Sequence, residues 1–181
     1  MKSRFYYHYE TIVKDELMLK FRYSNVHEVP RIEKVVVDTS MRSANFKLKL
    51  APSLILALTL ISGQKATPTL AKKGNAKLGI RKGAVTGAKV TLRNDKMFQF
   101  IDFLVTLVLP RVKNFEGIQG KSLNSQGNLT VQIRDPFTFP QLEAATNLFN
   151  HVGAINVTIV TSTSNKDESK CLLRGLSIPI K

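Results

Sequence analysis

Apolar residues recur along this chain with two periods, one near 3.6 and one of 2, and the two alternate. Val13, Leu17 and Phe21 fall four apart and mark one face of a helix over residues 8–23. Ile32, Val35, Val36 and Val37 make residues 32–38 a β-branched strand. Leu50, Leu54, Leu58 and Ile61 restore helical spacing over residues 46–62. Pro52 has no N–H to donate, so it belongs in the first turn or kinks that helix, and Gly63 suits a left-handed stop. Residues 67–71 and 87–93 read as strands. A third helix covers 96–109, with Phe98, Ile101, Leu104, Val105 and Val108 inward and Asn94 or Asp95 as its cap. Residues 129–134 alternate as a strand. Residues 141–150 read as a short helix with Leu142, Ala145, Leu148 and Phe149 inward. Strict alternation returns at 155–162, where Ile155, Val157, Ile159 and Thr161 share a face. Asn165 to Asp167 cap a last helix over 168–174. These elements predict an α+β fold, with a mixed, mainly antiparallel sheet, helices packed on one face and a single domain over residues 1–181.

Charge changes the picture at one place. From residue 39 to 94 there is no acid and there are 11 Lys and Arg, most of the chain's net +14. Inside that window, residues 72–83 form a long basic loop between two strands, with Gly74, Gly79 and Gly83. A loop of one charge sign repels itself unless an anion neutralises it. Long loops in compact domains are uncommon and often functional. Local positive charge, with glycines that let backbone approach a partner, is the electrostatic footprint of a phosphate polymer.

Other chemistries find little purchase. His8, His27 and His151 are scattered, and with Cys171 as the one cysteine they make no zinc spacing and no disulfide. Cys171, beside Leu172 and Leu173, reads as a buried small hydrophobe. Gly120-Lys121-Ser122 resembles the end of a phosphate-binding loop, but Phe115 stands where that pattern needs Gly. No catalytic set, metal or cofactor is expected. The longest apolar run, residues 54–58, is far too short to span a bilayer, so no membrane partner is expected. Glu10, Asp15 and Glu16 make the N-terminus unlike a signal or transit peptide.

Several separate blocks carry a resemblance. Tyr23-Ser24-Asn25-Val26, Ser62-Gly63-Gln64-Lys65, Lys89-Val90-Thr91-Leu92-Arg93, Leu109-Pro110-Arg111-Val112-Lys113-Asn114-Phe115, Gly127-Asn128, Phe139-Pro140 and Val160-Thr161-Ser162 resemble, in order, the universal family of large-subunit ribosomal protein five. The resemblance runs from about Tyr9 to Pro179. It implies an α+β protein of the central protuberance that binds 5S ribosomal RNA, large-subunit ribosomal RNA and neighbouring ribosomal proteins. It also implies that the long loop reaches toward the P-site transfer RNA, and that there is no enzyme activity. A free-standing RNA-binding or regulatory module is the alternative.

Carried over residue by residue, the resemblance implies a 5S RNA surface of Asp38, Gln64, Thr91 and Arg93. The loop that meets transfer RNA or ribosomal RNA would be Lys72, Lys73, Asn75, Lys77, Arg81 and Lys82. Asp38 stands where the family usually has Asn, which removes an amide donor and adds repulsion against phosphate. Arg42 places a cation nearby, and Leu78 replaces an aromatic of the loop. Residues 5–10 and 156–162 look most like organelle-encoded mitochondrial members, which points to the mitochondrial ribosome; a bacterial cytoplasm or a plastid is the alternative.

Overall fold

The structure, a computed structural model, describes residues 3–41, 51–76 and 79–181. The expectations for Arg42, for Lys77 and Leu78, and for the start of the second helix at residues 46–50 lie outside the described residues. The N-terminal helix starts earlier than its periodicity suggests: α1 (Arg4–His8) passes through a π-helical turn (Tyr9–Val13) into α2 (Lys14–Phe21). Its first turn is held by partners far along the chain, which no local pattern reveals. Strand β1 (Ile32–Met41) is followed by α3 (Ala51–Ser62), β2 (Thr67–Leu70) and β3 (Val85–Leu92). Next come α4 (Asn94–Phe103), a second π-helical segment (Leu104–Val108) and α5 (Leu109–Arg111). The remaining elements are β4 (Leu129–Ile133), α6 (Pro140–Glu143), α7 (Thr146–Phe149), β5 (Val152–Thr161) and α8 (Lys166–Gly175). The strands form a five-stranded antiparallel sheet in the order β2-β3-β1-β5-β4, so the α+β class holds.

Four sequence expectations need correction. The cap position of α4 is Arg93, whose side chain makes no cap bond; Asn94 instead takes the left-handed conformation (φ 52°), which Asn tolerates better than most residues. Asp95 still adds favourable negative charge to that first turn. Residues 141–150 are two short helices, because Ala145 leaves helical space (φ −137°, ψ 53°). That break turns Leu148 to solvent, 60% exposed, while Leu142 and Phe149 stay buried. Cys171 is half-buried and accepts a hydrogen bond from Lys20 Nζ at 2.7 Å. The caps of the last helix are as expected, with the Asn165 side chain accepting from the Asp167 N–H.

The chain clusters into two compact units, each drawn from separated segments. The first comprises residues 1–35, 93–131 and 158–181. Its core holds Val13, Leu17, Ile101, Leu104, Leu172 and Leu173. Arg4 donates to Asp102 at 2.7 and 2.5 Å, and the Tyr6 ring stands edge-on to Phe98 at 5.5 Å. Burial pushes the Asp102 carboxyl up, but hydrogen bonds from Arg4 and Thr106 outweigh it and hold the group below its usual value. The buried Tyr9 hydroxyl donates to the Pro30 carbonyl at 2.9 Å; burial first, then the Glu10 charge, push its pKa up to about 12.

The second unit comprises residues 36–92 and 132–157. Leu54, Ala57 and Leu58 of α3 are fully buried and α3 packs on β3, where Ala88, Val90 and Leu92 face inward. Val37 of β1 and Ile155 and Val157 of β5 complete this apolar layer. Along β1 and β5 the alternate positions Asp38, Ala154 and Asn156 are only partly covered. The unit's sheet therefore has one apolar face and one open, largely polar face.

Candidate nucleic-acid interface

Two hydrophobic constraints position the first pair of site residues. Leu54, Leu58 and Ile61 pin α3 against β3, and the helix must stop where that face ends. Gly63 makes the stop in the left-handed conformation (φ 61°), with its N–H returning to the Thr59 carbonyl at 2.9 Å. The Ser62 hydroxyl, donating to the Leu58 carbonyl at 2.6 Å, accepts from the Gln64 N–H at 3.3 Å. Gln64 is thus held next to β3, and its Nε2 donates to the Thr91 carbonyl at 3.2 Å. The structure brings Gln64 and Thr91 together although 27 residues separate them. The Gln64 side-chain oxygen and the Thr91 hydroxyl have no partner among the described residues, so both remain available to an incoming donor or acceptor.

Asp38 lies on the open face of β1, where sequence reasoning missed its neighbours. Asn156 Nδ2 donates to Asp38 Oδ2 at 2.9 Å, and Gln132 Nε2 donates to Asn156 Oδ1 at 3.2 Å. This row crosses β4, β5 and β1 and runs one way, from amide donors to a carboxylate. The only local signal for Asn156 and Gln132 is that each occupies a polar position in an alternating strand. Their partnership depends on strand register, which joins residues 118 apart for Asp38 and Asn156.

Beside Asp38 is a cleft of about 490 Å³, lined by Ser40, Thr69, Thr86, Gly87 and Lys89 among others. Gly87 keeps its floor flat, since a β-carbon there would collide with the Thr39 carbonyl oxygen and lie 2.9 Å from Thr69 Oγ1. The β2–β3 register slips between Thr69 and Leu70 at this level. Lys89 is exposed at the edge of the cleft.

The described residues of the basic loop pair with one another across it. Ala71 and Ala84 stay bonded at 2.9 Å, and Asn75 and Ile80 exchange both backbone bonds at 2.8 and 3.0 Å. The β2–β3 hairpin therefore continues as a narrow ribbon. Lys72, Lys73, Asn75, Arg81 and Lys82 are exposed on it. The four charged ones make no ion pair among the described residues, so their charge is uncompensated.

Arg93 belongs to the first unit, where it is exposed beside a cleft of about 700 Å³ that also carries Glu10, Glu33 and Asp95. Three carboxylates make that cleft a poor phosphate site. Among the described residues no group of three or more His, Cys, Asp or Glu is placed to hold a metal ion. No helix among them is long and apolar enough to cross a membrane.

The family model described as ribosomal protein L5 matches residues 25–81, and the model of that family's C-terminus matches residues 85–180. The chain is 40% identical over 173 residues to the large ribosomal subunit protein uL5m of Reclinomonas americana, covering 96% of this chain and 95% of that one. It is 39% identical over 173 residues to uL5 of Trichlorobacter lovleyi, covering 96% of each chain. Against uL5 of Geobacter sulfurreducens the identity is 37% over 175 residues, covering 97% of this chain and 96% of the other.

Proposed function

The chain belongs to the ribosomal protein L5 family, and from that premise we propose that it binds 5S ribosomal RNA in the central protuberance and meets the P-site transfer RNA through its basic ribbon. It is a structural protein of the large ribosomal subunit, not an enzyme, and its partners are ribosomal RNA and ribosomal proteins.

The observation that carries the reading is the Gln64–Thr91 pair. A permanent RNA scaffold needs a contact whose position is fixed before binding, and the 3.2 Å bond from Gln64 to the Thr91 carbonyl fixes it. The side-chain groups left over suit sugar, phosphate or base edges. Exposed Lys65 and Lys89 flank the pair in sequence and supply the sequence-independent attraction. The ribbon suits a different task. Its uncompensated Lys and Arg side chains meet phosphates as long, adjustable charges, which fits a transfer RNA that arrives and leaves. Asp38 joins the set assigned to 5S RNA; Arg93, exposed in the first unit beside three carboxylates, is assigned to the same RNA by the family resemblance and not by its cleft. The likeness to a mitochondrial relative, together with the N-terminal aromatic run, supports the mitochondrial ribosome as the place of work.

The test is crosslinking in assembled particles. The tagged chain is incorporated into large subunits, irradiated, and its attached RNA sequenced. The expected result is crosslinks to 5S RNA from residues around Gln64 and Thr91, reduced in a Gln64→Ala/Thr91→Val variant. Subunits that contain both the chain and 5S RNA, yet give crosslinks only to other RNA, would overturn the assignment.

A further inference from the structure

The carboxylate of Asp38 is out of place on a surface meant for a polyanion, and its surroundings say what it meets instead. One oxygen, Oδ2, is held by Asn156 at 2.9 Å, and Asn156 is itself oriented by Gln132 at 3.2 Å. The other oxygen has no partner among the described residues. The carboxylate is therefore aimed, with acceptor sites side by side along its outer edge. It borders the cleft of about 490 Å³ that Lys89 also lines. That volume is within the range of small-ligand clefts, about 300–1,000 Å³.

An ionised carboxylate only accepts, and phosphate oxygens are anionic acceptors, so Asp38 repels backbone and must meet donors. A ribose hydroxyl offers a single donor. Among the RNA bases, adenine, cytosine and uracil present one donor on the Watson–Crick edge, beside acceptors. Guanine alone presents two adjacent donors, N1–H and N2–H, followed by the O6 acceptor. The cleft holds the complementary groups: two carboxylate acceptors from Asp38, and an ammonium donor from Lys89. Resting on the RNA-binding reading above, we propose that Asp38 reads the Watson–Crick edge of an unpaired guanine, with Asn156 as its positioning residue. The row from Gln132 supplies from β4 and β5 the fixed geometry that a lone Asp would lack.

Kethoxal adds across N1 and N2 of unpaired guanines, so it probes this contact directly. The chain is bound to total RNA of the large subunit, and reactivity is compared between wild type, Asp38→Ala, Asp38→Asn and Asn156→Ala, with thermal melts confirming the fold. Wild type is expected to protect one guanine that Asp38→Ala re-exposes. Replacing that guanine by inosine, which lacks the N2 amine, should weaken wild type about tenfold, since a good bidentate base pair discriminates by roughly that much or more. It should weaken Asp38→Ala hardly at all, and Asn156→Ala by an intermediate factor. A purely structural Asp38–Asn156 pair would lower the melting temperature and leave the guanine/inosine ratio unchanged, which would overturn the proposal. So would kethoxal patterns that match between wild type and both Asp38 variants. A protected guanine in an RNA other than 5S would instead strike the 5S assignment and leave this one standing.

Discussion

Replacing Lys72, Lys73, Arg81 and Lys82 together by Ala separates the ribbon from the fold and from the fixed surface. All four side chains are exposed and have no ion-pair partner among the described residues, so their loss should change stability by only about 0.5 kcal/mol or less. Binding is another matter. If each cation neutralises one phosphate, the variant loses roughly 3 from the slope of log affinity against log salt, at about 0.7–0.9 per contact. Between roughly 50 and 200 mM salt that amounts to about a hundredfold difference in how steeply the two proteins weaken. Gln64→Ala/Thr91→Val should behave oppositely. Losing two hydrogen bonds costs about 1–3 kcal/mol, roughly 5- to 150-fold, with little change in slope, because neither residue is charged. The assay pairs filter binding to isolated 5S RNA, where the ribbon variant should keep the wild-type salt slope, with retention of P-site transfer RNA on reconstituted ribosomes across a salt series, where the lost slope should appear. The ribbon variant should keep 5S binding and shed transfer RNA; the Gln64/Thr91 variant should do the reverse at 5S. A ribbon variant that fails on 5S RNA, beside a Gln64/Thr91 variant that binds normally, would mean the two surfaces are assigned the wrong way round.

Other outcomes follow from the packing and the titrating groups. Leu58→Ala empties a fully buried site on α3 and should cost about 2–5 kcal/mol in a denaturant melt, far more than the ribbon variant. Gly87→Ala forces β3 away from the Thr39 carbonyl; its melting temperature should fall, and hydrogen exchange should quicken in β1 and β3 first. The Tyr9 pKa is raised by burial to about 12, above an unfolded value of about 10, so the stability it confers is complete below about pH 10 and drains away as pH rises toward 12. Urea melts from pH 8 to 11 should show about 1.4 kcal/mol of that loss by pH 11, and Tyr9→Phe should flatten it while lowering stability at pH 8 through the lost bond to Pro30.

What the sequence made legible is what is local. Strict alternation placed Ile155, Val157, Ile159 and Thr161 on the buried face of β5, and a polar residue before an acidic turn placed the Asn165 cap. Gly63 marked the end of α3 for a steric reason any reader can apply. The failures are tertiary. Arg4 starts its helix early because Asp102, 98 residues away, receives its guanidinium. Leu148 looked inward on a helix that Ala145 interrupts, and the interruption has no marker such as Pro or Gly. At the interface, Gln64 and Thr91 were legible as polar residues near element ends. The amide row that aims Asp38 was not, because Asn156 and Gln132 become its neighbours only when strand register is set.

The strand order has a consequence in time. β1 lies between β3 and β5, and Thr39 donates from its hydroxyl to the Ala154 carbonyl across a separation of 115 residues. A ribosome adding about 5–20 residues per second needs roughly 6–23 s to make that stretch. Through that interval the sheet has one finished side, from β2 to β1, and one row of open backbone donors and acceptors awaiting β5. The first unit waits longer still, since α1 and α2 find Gly175 and Cys171 only when the last helix has been made. Each new copy of this ribosomal protein thus spends seconds as a half-built sheet with an unpaired edge and a concentrated positive charge, and depends on whatever keeps that edge from a second chain until its own C-terminal quarter arrives.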